Sequence, residues 1–141
     1  MNPPSDVGAA PARILIVDDS RDNSELLQIM LNWEGFISQI AGSGEEALAS
    51  VAAEPPDLML LDLGLPGLSG AEVISEMKGN ATSKDIPVIV ISGRGDDVTR
   101  KRVLKAGAAD FILKPVNRVD LCQRVRNVLY SNIGAVDVIG A

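Results

Sequence analysis

The sequence predicts an α/β fold: one doubly wound parallel sheet of five strands in the order 2-1-3-4-5, with five surrounding helices. Three observations carry this. Short aliphatic runs alternate with amphipathic helical segments five times along the chain, which implies parallel strands joined by crossover helices. Four of the runs, 14–17, 58–61, 88–91 and 111–113, have no polar alternation, as strands covered on both faces should not. The remaining one, FISQIA at 36–41, mixes polar and apolar residues and so belongs at a sheet edge. Order 2-1-3-4-5 puts that strand at the edge and sets strands 1 and 3 on either side of the topological switch point, where such folds bind ligands.

Each element has its own signal. Residues 1–12 contain Pro, Ala and Gly without a period and read as a flexible lead. A single domain then spans 13–131, and 132–141 (NIGAVDVIGA) reads as a tail or linker stub. After the first strand, Leu26, Leu27, Met30 and Leu31 fall at helical spacing over roughly 21–34. After the edge strand, Ser43 and Glu46 read as a capping box. They open a helix with Ala47, Leu48, Val51 and Ala52 on one face, and Pro55-Pro56 ends it. Ser69 and Glu72 form a second capping box, for a helix carrying Val73, Ile74 and Met77. A fourth helix, about 96–106, stops at Gly107. The last begins at Asn117 as N-cap and buries Leu121, Val125, Val128 and Leu129.

Composition narrows the function. The longest apolar runs are far too short to span a bilayer, and no basic start precedes an apolar stretch, so the reading is a cytoplasmic protein with no membrane partner. Cys122 is the only cysteine, which excludes a disulfide framework. The absence of His excludes His-ligated metals, Ser-His-Asp chemistry and a phosphohistidine on this chain. A net charge of −6 argues against direct nucleic-acid binding. The charge is uneven. Residues 94–126 carry nine Lys/Arg against four Asp, whereas 1–93 carry four basic and fourteen acidic residues.

The four buried runs each stop at a reactive polar residue: Asp18-Asp19, Asp62, Ser92 and Lys114. Parallel strands bring these ends to one edge. Three carboxylates a few ångströms apart repel, at roughly 3 kcal/mol per pair for ~5 Å and an effective dielectric of ~20. A divalent cation relieves that cost, and an all-oxygen donor set suits Mg²⁺ rather than Zn²⁺. A carboxylate can also attack phosphorus to form an aspartyl phosphate. That chemistry asks for a metal and a cation on the equatorial oxygens. Asp62, on the central strand, is the best nucleophile; Lys114 supplies the cation and Ser92 a donor. The bland alternatives are that each Asp is a turn or cap residue, Lys114 a solvated lysine, Phe111 a core aromatic, and the basic run Arg100, Lys101, Arg102 and Lys105 a solvated helix face.

Taken in order, ILIVDDS (14–20), PDLMLLDLGLPGLSG (56–70), IPVIVISG (86–93) and GAADFILKP (107–115) resemble the receiver domain of two-component response regulators, the CheY-like, flavodoxin-like family, over about residues 12–130. The resemblance implies that Asp62 is the phosphoacceptor. It implies that Asp19 and Asp62 bind Mg²⁺ directly, Asp18 through water and Gly64 through its carbonyl. Ser92 is then the switch hydroxyl, Lys114 the phosphate-binding lysine and Phe111 the rotating switch aromatic. The Lys114-Pro115 bond is expected to be cis. Partners implied are a sensor histidine kinase or histidine phosphotransfer protein, a downstream protein effector on the fourth-helix, fifth-strand, fifth-helix face, and a phosphorylation-dependent homodimer. The module is regulatory, at most phosphorylating itself from small donors and dephosphorylating itself. Gly64 and Gly93 depart from the larger residues common at those places, which leaves the phosphoryl group less shielded. Two rivals stand beside this reading. An aspartate-nucleophile phosphatase wants a second Asp where Gly64 stands, and an unphosphorylated receiver-shaped interaction module usually lacks one of the acidic residues or the lysine.

Overall fold

Parallel pairing joins β1 (Arg13–Val17) to β2 (Ile37–Ala41) on one side and to β3 (Leu58–Asp62) on the other. The sheet then continues through β4 (Val88–Ser92) to β5 (Asp110–Leu113). The order is β2-β1-β3-β4-β5, as the strand patterns require. Four helices connect the strands, α1 (Arg21–Trp33), α2 (Gly44–Ala53), α3 (Gly70–Lys78) and α4 (Asp97–Ala106), and α5 (Arg118–Leu129) follows the last strand. This is a computed structural model, and it describes residues 10–65 and 67–130. Most of the expected lead and all of the expected tail therefore lie outside the described residues. Ala12, expected in the lead, belongs to the fold: its carbonyl accepts the Ile37 N–H at 3.0 Å and it packs against the core.

Side chains alternate across the sheet, and the alternation builds two cores. Ile14, Ile16, Leu58, Leu60, Ile89, Ile91 and Ile112 pack under α1 and α5. Leu15, Val17, Met59, Leu61, Val88, Val90 and Phe111 pack under α2, α3 and α4. Each fully buried Leu or Ile contributes roughly 1.5–3 kcal/mol. A dozen of them outweigh the cost of the few polar groups buried at one sheet edge.

Helix ends follow the predicted caps with one change. Ser69 and Glu72 make the reciprocal box. The Ser43 side chain accepts from the Glu46 N–H, but the Glu46 carboxylate reaches past it to the Gly42 N–H at 3.0 Å. Asp96 and Asn117 cap α4 and α5. Gly107 ends α4 at φ 121°, a conformation that favours glycine.

Two apolar faces differ from expectation. Leu27 and Leu31 are buried, but Leu26 is exposed, because α1 lies on the sheet edge and covers it with a narrow stripe. In α5 the buried residues are Leu121, Cys122 and Val125, whereas Val128 and Leu129 are only partly covered near the open end of the helix. Burial pushes the Cys122 thiol up to about 11, which leaves it an inert core residue.

Glu34, at the end of α1, is gripped by Arg118 and Arg126 of α5. Arg118 also lies over Trp33 and Arg126 over Phe36. The Arg126 hydrogen bond is the main cause holding the Glu34 carboxyl below its usual value of 4.5. A depressed carboxylate contributes stability that is complete above its unfolded pKa and lost as pH falls through the folded one. Glu34→Gln is therefore expected to cost about 1 kcal/mol at neutral pH for a partly exposed pair. The difference from wild type should close as the pH is lowered beneath about 4, measured by urea denaturation across pH. A difference that is the same at pH 7 and pH 3 would show that the charge is not what matters.

Candidate functional site

Residue parity decides which strand-end groups meet. Continuing each alternation one step past the apolar run places Asp18, Asp62 and Lys114 on the α1/α5 side of the sheet. Register Val17↔Leu61 sets Asp18 beside Asp62. Ser92 falls on the opposite side, the side that holds Phe111. Backbone bonds lock the loops that begin here. Asp18 N–H donates to the Ala41 carbonyl at 3.0 Å, Leu63 N–H to Ile91 at 3.1 Å and Lys114 N–H to Ser92 at 2.8 Å. The functional groups thus sit on the last rungs of a rigid sheet rather than on free loops.

Asp62 is held at both oxygens. Lys114 Nζ donates to Oδ2 at 2.6 Å, and the Gly64 N–H donates to Oδ1 at 2.7 Å. A Cβ on residue 64 would lie 3.3 Å from Oδ1, a tight contact that a larger residue would relieve by a small shift of the Asp62 side chain. Asp18 Oδ1 accepts the Ser20 N–H at 2.9 Å. Asp18 is 3 % exposed and Asp62 8 %. Burial is the main cause raising the Asp18 carboxyl above its usual range; the Ser20 amide opposes it and the charge of Asp62 adds to it.

Of the three carboxylates expected in the cluster, Asp18 and Asp62 are buried and Asp19 is exposed. Among the described residues no group of three acidic side chains is close enough to hold one ion. Asp19 follows Asp18 in the bend beyond β1 and is exposed, at a cavity that it shares with Asp18, Arg21 and Glu46. The two buried carboxylates still outnumber their one ammonium. That surplus of negative charge, with oxygen donors only, fits a hard divalent cation that keeps several waters.

Ser92 is 4 % exposed, and its Oγ accepts the Arg94 N–H at 3.0 Å. Phe111 is already packed in the core under α4, 5 % exposed, with the Arg100 guanidinium 5.8 Å from its ring centre. The Lys114-Pro115 peptide is cis. Asp62, Ser92 and Lys114 line a cavity of about 440 Å³ that extends to Thr99 and Arg102 of α4. A second cavity, of about 450 Å³, opens between Leu26 and Met30 of α1 and the segment Lys114 to Val116.

The basic surface is smaller than the sequence implies. Arg118 and Arg126 are paired with Glu34, and Arg124 bridges Asp110 at 2.9 Å and Asp120 at 3.0 Å. These three arginines fix α5 in place. Among the described residues of that region, Lys101, Arg102 and Lys105 of α4 make no ion pair. Sequence reasoning missed Thr99 and Arg102 because nothing in local periodicity says which side of α4 overlooks the site. It also missed the exposed row Leu26, Ile29 and Trp33, although their spacing along α1 is itself a visible signal.

The sequence pattern of the family described as the response regulator receiver domain matches residues 14–126. The chain belongs to that family. This receiver is 42% identical over 120 residues to response regulator PleD of Caulobacter vibrioides, covering 83% of the chain and 26% of PleD. It is 38% identical over 120 residues to the DNA-binding response regulator MtrA of Mycobacterium tuberculosis, covering 85% of the chain and 51% of MtrA. The chain thus spans about half or less of the length of these relatives. Its fold matches a CheY-like receiver domain protein from Methanospirillum hungatei, with TM-score 0.82, 29% identity, and 89% and 99% of the two chains covered. It also matches the receiver domain of a histidine kinase from Syntrophus aciditrophicus, with TM-score 0.79, 32% identity, and 85% and 91% covered. Membership makes the receiver a phosphoacceptor signalling module of two-component systems, regulatory rather than enzymatic in class. Receiver domains as a family bind Mg²⁺ at an acidic pocket.

Proposed function

We propose that Asp62 accepts a phosphoryl group from a histidine kinase or a histidine phosphotransfer protein, and that the aspartyl phosphate switches a partner surface centred on α4. The observation that carries this is the Asp62 carboxylate, held between the Lys114 ammonium and the Gly64 amide at the mouth of a cavity. Oδ1 and Oδ2 are both oriented before the donor arrives, which supplies the positioning that phosphoryl transfer needs. Attack by a carboxylate oxygen leaves the equatorial oxygens within reach of Lys114, which is already in place. The Ser92 hydroxyl, whose lone pair takes the Arg94 amide, keeps its proton to donate to the phosphoryl group. Asp18 and Asp62, with Asp19 at the rim and the Gly64 carbonyl, would hold Mg²⁺. When bound, the metal neutralises charge that builds on the phosphoryl oxygens.

The output follows from packing. Drawing Ser92 towards the phosphate shifts the loop that starts α4. Phe111 lies beneath that helix, with Arg100 of α4 over its ring. A near-complete switch needs roughly 5 kcal/mol of preference. Two or three charge-assisted hydrogen bonds of ~1.5–3 kcal/mol each supply it. The responding face carries exposed Val98, Leu104 and Leu113 beside Lys101, Arg102 and Lys105, which suits an acidic, partly apolar protein effector or a second copy of this chain. The donor would approach over Leu26 and Ile29, exposed on α1 beside the second cavity. No helix among the described residues is long and apolar enough to cross a membrane, and a cytoplasmic site of action fits a kinase donor.

Incubation with acetyl phosphate tests this. The chain should take up one alkali-labile phosphate in Mg²⁺ and essentially none after chelation, read on phosphate-affinity gels. Equal uptake with and without chelator would remove the reading.

A further inference from the structure

The phosphoacceptor cavity is larger than its proposed use requires. At about 440 Å³ it has the size of a small-ligand pocket. It holds more than ten waters at about 30 Å³ each, where a phosphoryl group displaces only a few. The extra space runs from Asp62 to the wall made by α4, so whatever the phosphoryl group arrives attached to has room there.

Charge says what that is. Among the described residues Asp62 is the only acidic side chain lining the cavity, and Lys114 already pairs with it. Arg94 pairs with Asp96 at 3.6 Å. Thr99 is engaged by its own cap, donating from Oγ1 to Asp96 at 3.0 Å. Arg102 lines the far wall, and among the described residues it makes no hydrogen bond or ion pair. It is the one charged group of the cavity with nothing to neutralise it.

We propose that Arg102 is a specificity-determining residue that makes the cavity prefer small phosphodonors with an anionic leaving group, that is acyl phosphates. The proposal rests on Asp62 being the phosphoacceptor. In the step, a carboxylate oxygen of Asp62 forms a bond to phosphorus as the bond from phosphorus to the acyl oxygen breaks. The electron pair stays on that oxygen, and a carboxylate leaves without needing a proton. Arg102 faces the space this carboxylate enters. A donor such as phosphoramidate breaks its phosphorus–nitrogen bond instead, and its already protonated nitrogen leaves as neutral ammonia. A nearby cation gives that leaving group no help.

The test uses the full chain in saturating Mg²⁺, with initial rates from acetyl phosphate and from phosphoramidate. Arg102→Gln should slow the acetyl phosphate reaction by about fivefold and leave the phosphoramidate reaction within about twofold, the size expected of one partly exposed charge pair. Arg102→Lys should keep most of the acetyl phosphate rate, and added salt should shrink the Arg102 effect. Arg102 is exposed on α4, so the fold should survive either change. Rates that fall in proportion for both donors, or change for neither, would overturn the proposal. If Asp62→Asn is labelled as fast as wild type by both donors, the phosphoacceptor reading itself fails and takes this proposal with it.

Discussion

Lys114→Met is expected to tighten Mg²⁺ binding about tenfold and to slow phosphorylation of Asp62 by about 10- to 100-fold, two effects of opposite sign from one substitution. Lys114 Nζ sits 2.6 Å from Asp62 Oδ2, with a side chain 34% exposed. An ammonium and a divalent cation sharing one carboxylate repel. Full Coulomb energy between neighbouring charges is roughly 4 kcal/mol at an effective dielectric of 20 and 4 Å, and partial exposure reduces it. A residual of about 1.4 kcal/mol corresponds to the tenfold gain in affinity. The transferring phosphoryl group, by contrast, loses a charge-assisted hydrogen bond of about 1.5–3 kcal/mol, which sets the rate loss. Met keeps most of the volume of the lysine stem, so the change is mainly one of charge. Titration calorimetry measures the affinity and phosphate-affinity gels the rate. Loss of both together would mean that the substitution deforms the site.

Calorimetry suits this site better than tryptophan fluorescence. Trp33 is the only tryptophan, and it lies at the far end of α1, 69% exposed with Arg118 over its ring. Twelve residues at 1.5 Å each put it roughly 18 Å along the helix from the end nearest Asp18.

The fold was legible because its signals are local and agree. Aliphatic runs without alternation required strands buried on both faces, and LMLLD and VIVIS are buried at every residue. The one mixed strand had to be an edge, and β2 is exposed at three of five positions. The site was legible to the extent that strand parity governs it. Asp18, Asp62 and Lys114 converge because each follows its run by one step. What the sequence did not reveal depends on how helices lie on the sheet. Arg118, Arg124 and Arg126 read as a basic surface from charge alone. Only the packing of α5 on α1 and β5 shows that Glu34 and Asp110 neutralise them, beside the local Asp120–Arg124 pair. Arg102 reads as a solvated helix residue until α4 closes one wall of the cavity. Leu26 reads as core until α1 is seen to pack on the sheet through Leu27, Met30 and Leu31.

Asp62→Asn carries the largest effect and the most direct test of the central claim. The amide is close in size and shape to the carboxylate, and its oxygen can still accept the Gly64 N–H. It removes a negative charge from beside buried Asp18 and an ion-pair partner from Lys114, whose side chain is 34% exposed and can turn to water, so the fold should be retained. What it lacks is an anionic oxygen to attack phosphorus. Wild type and variant are phosphorylated with acetyl phosphate and Mg²⁺, reduced with borohydride, and digested for peptide mass spectrometry. Reduction converts an aspartyl phosphate to homoserine. The account predicts homoserine at position 62 in the wild type and none anywhere in Asp62→Asn. Homoserine at position 18 or 19, or undiminished phosphate in the variant, would contradict it.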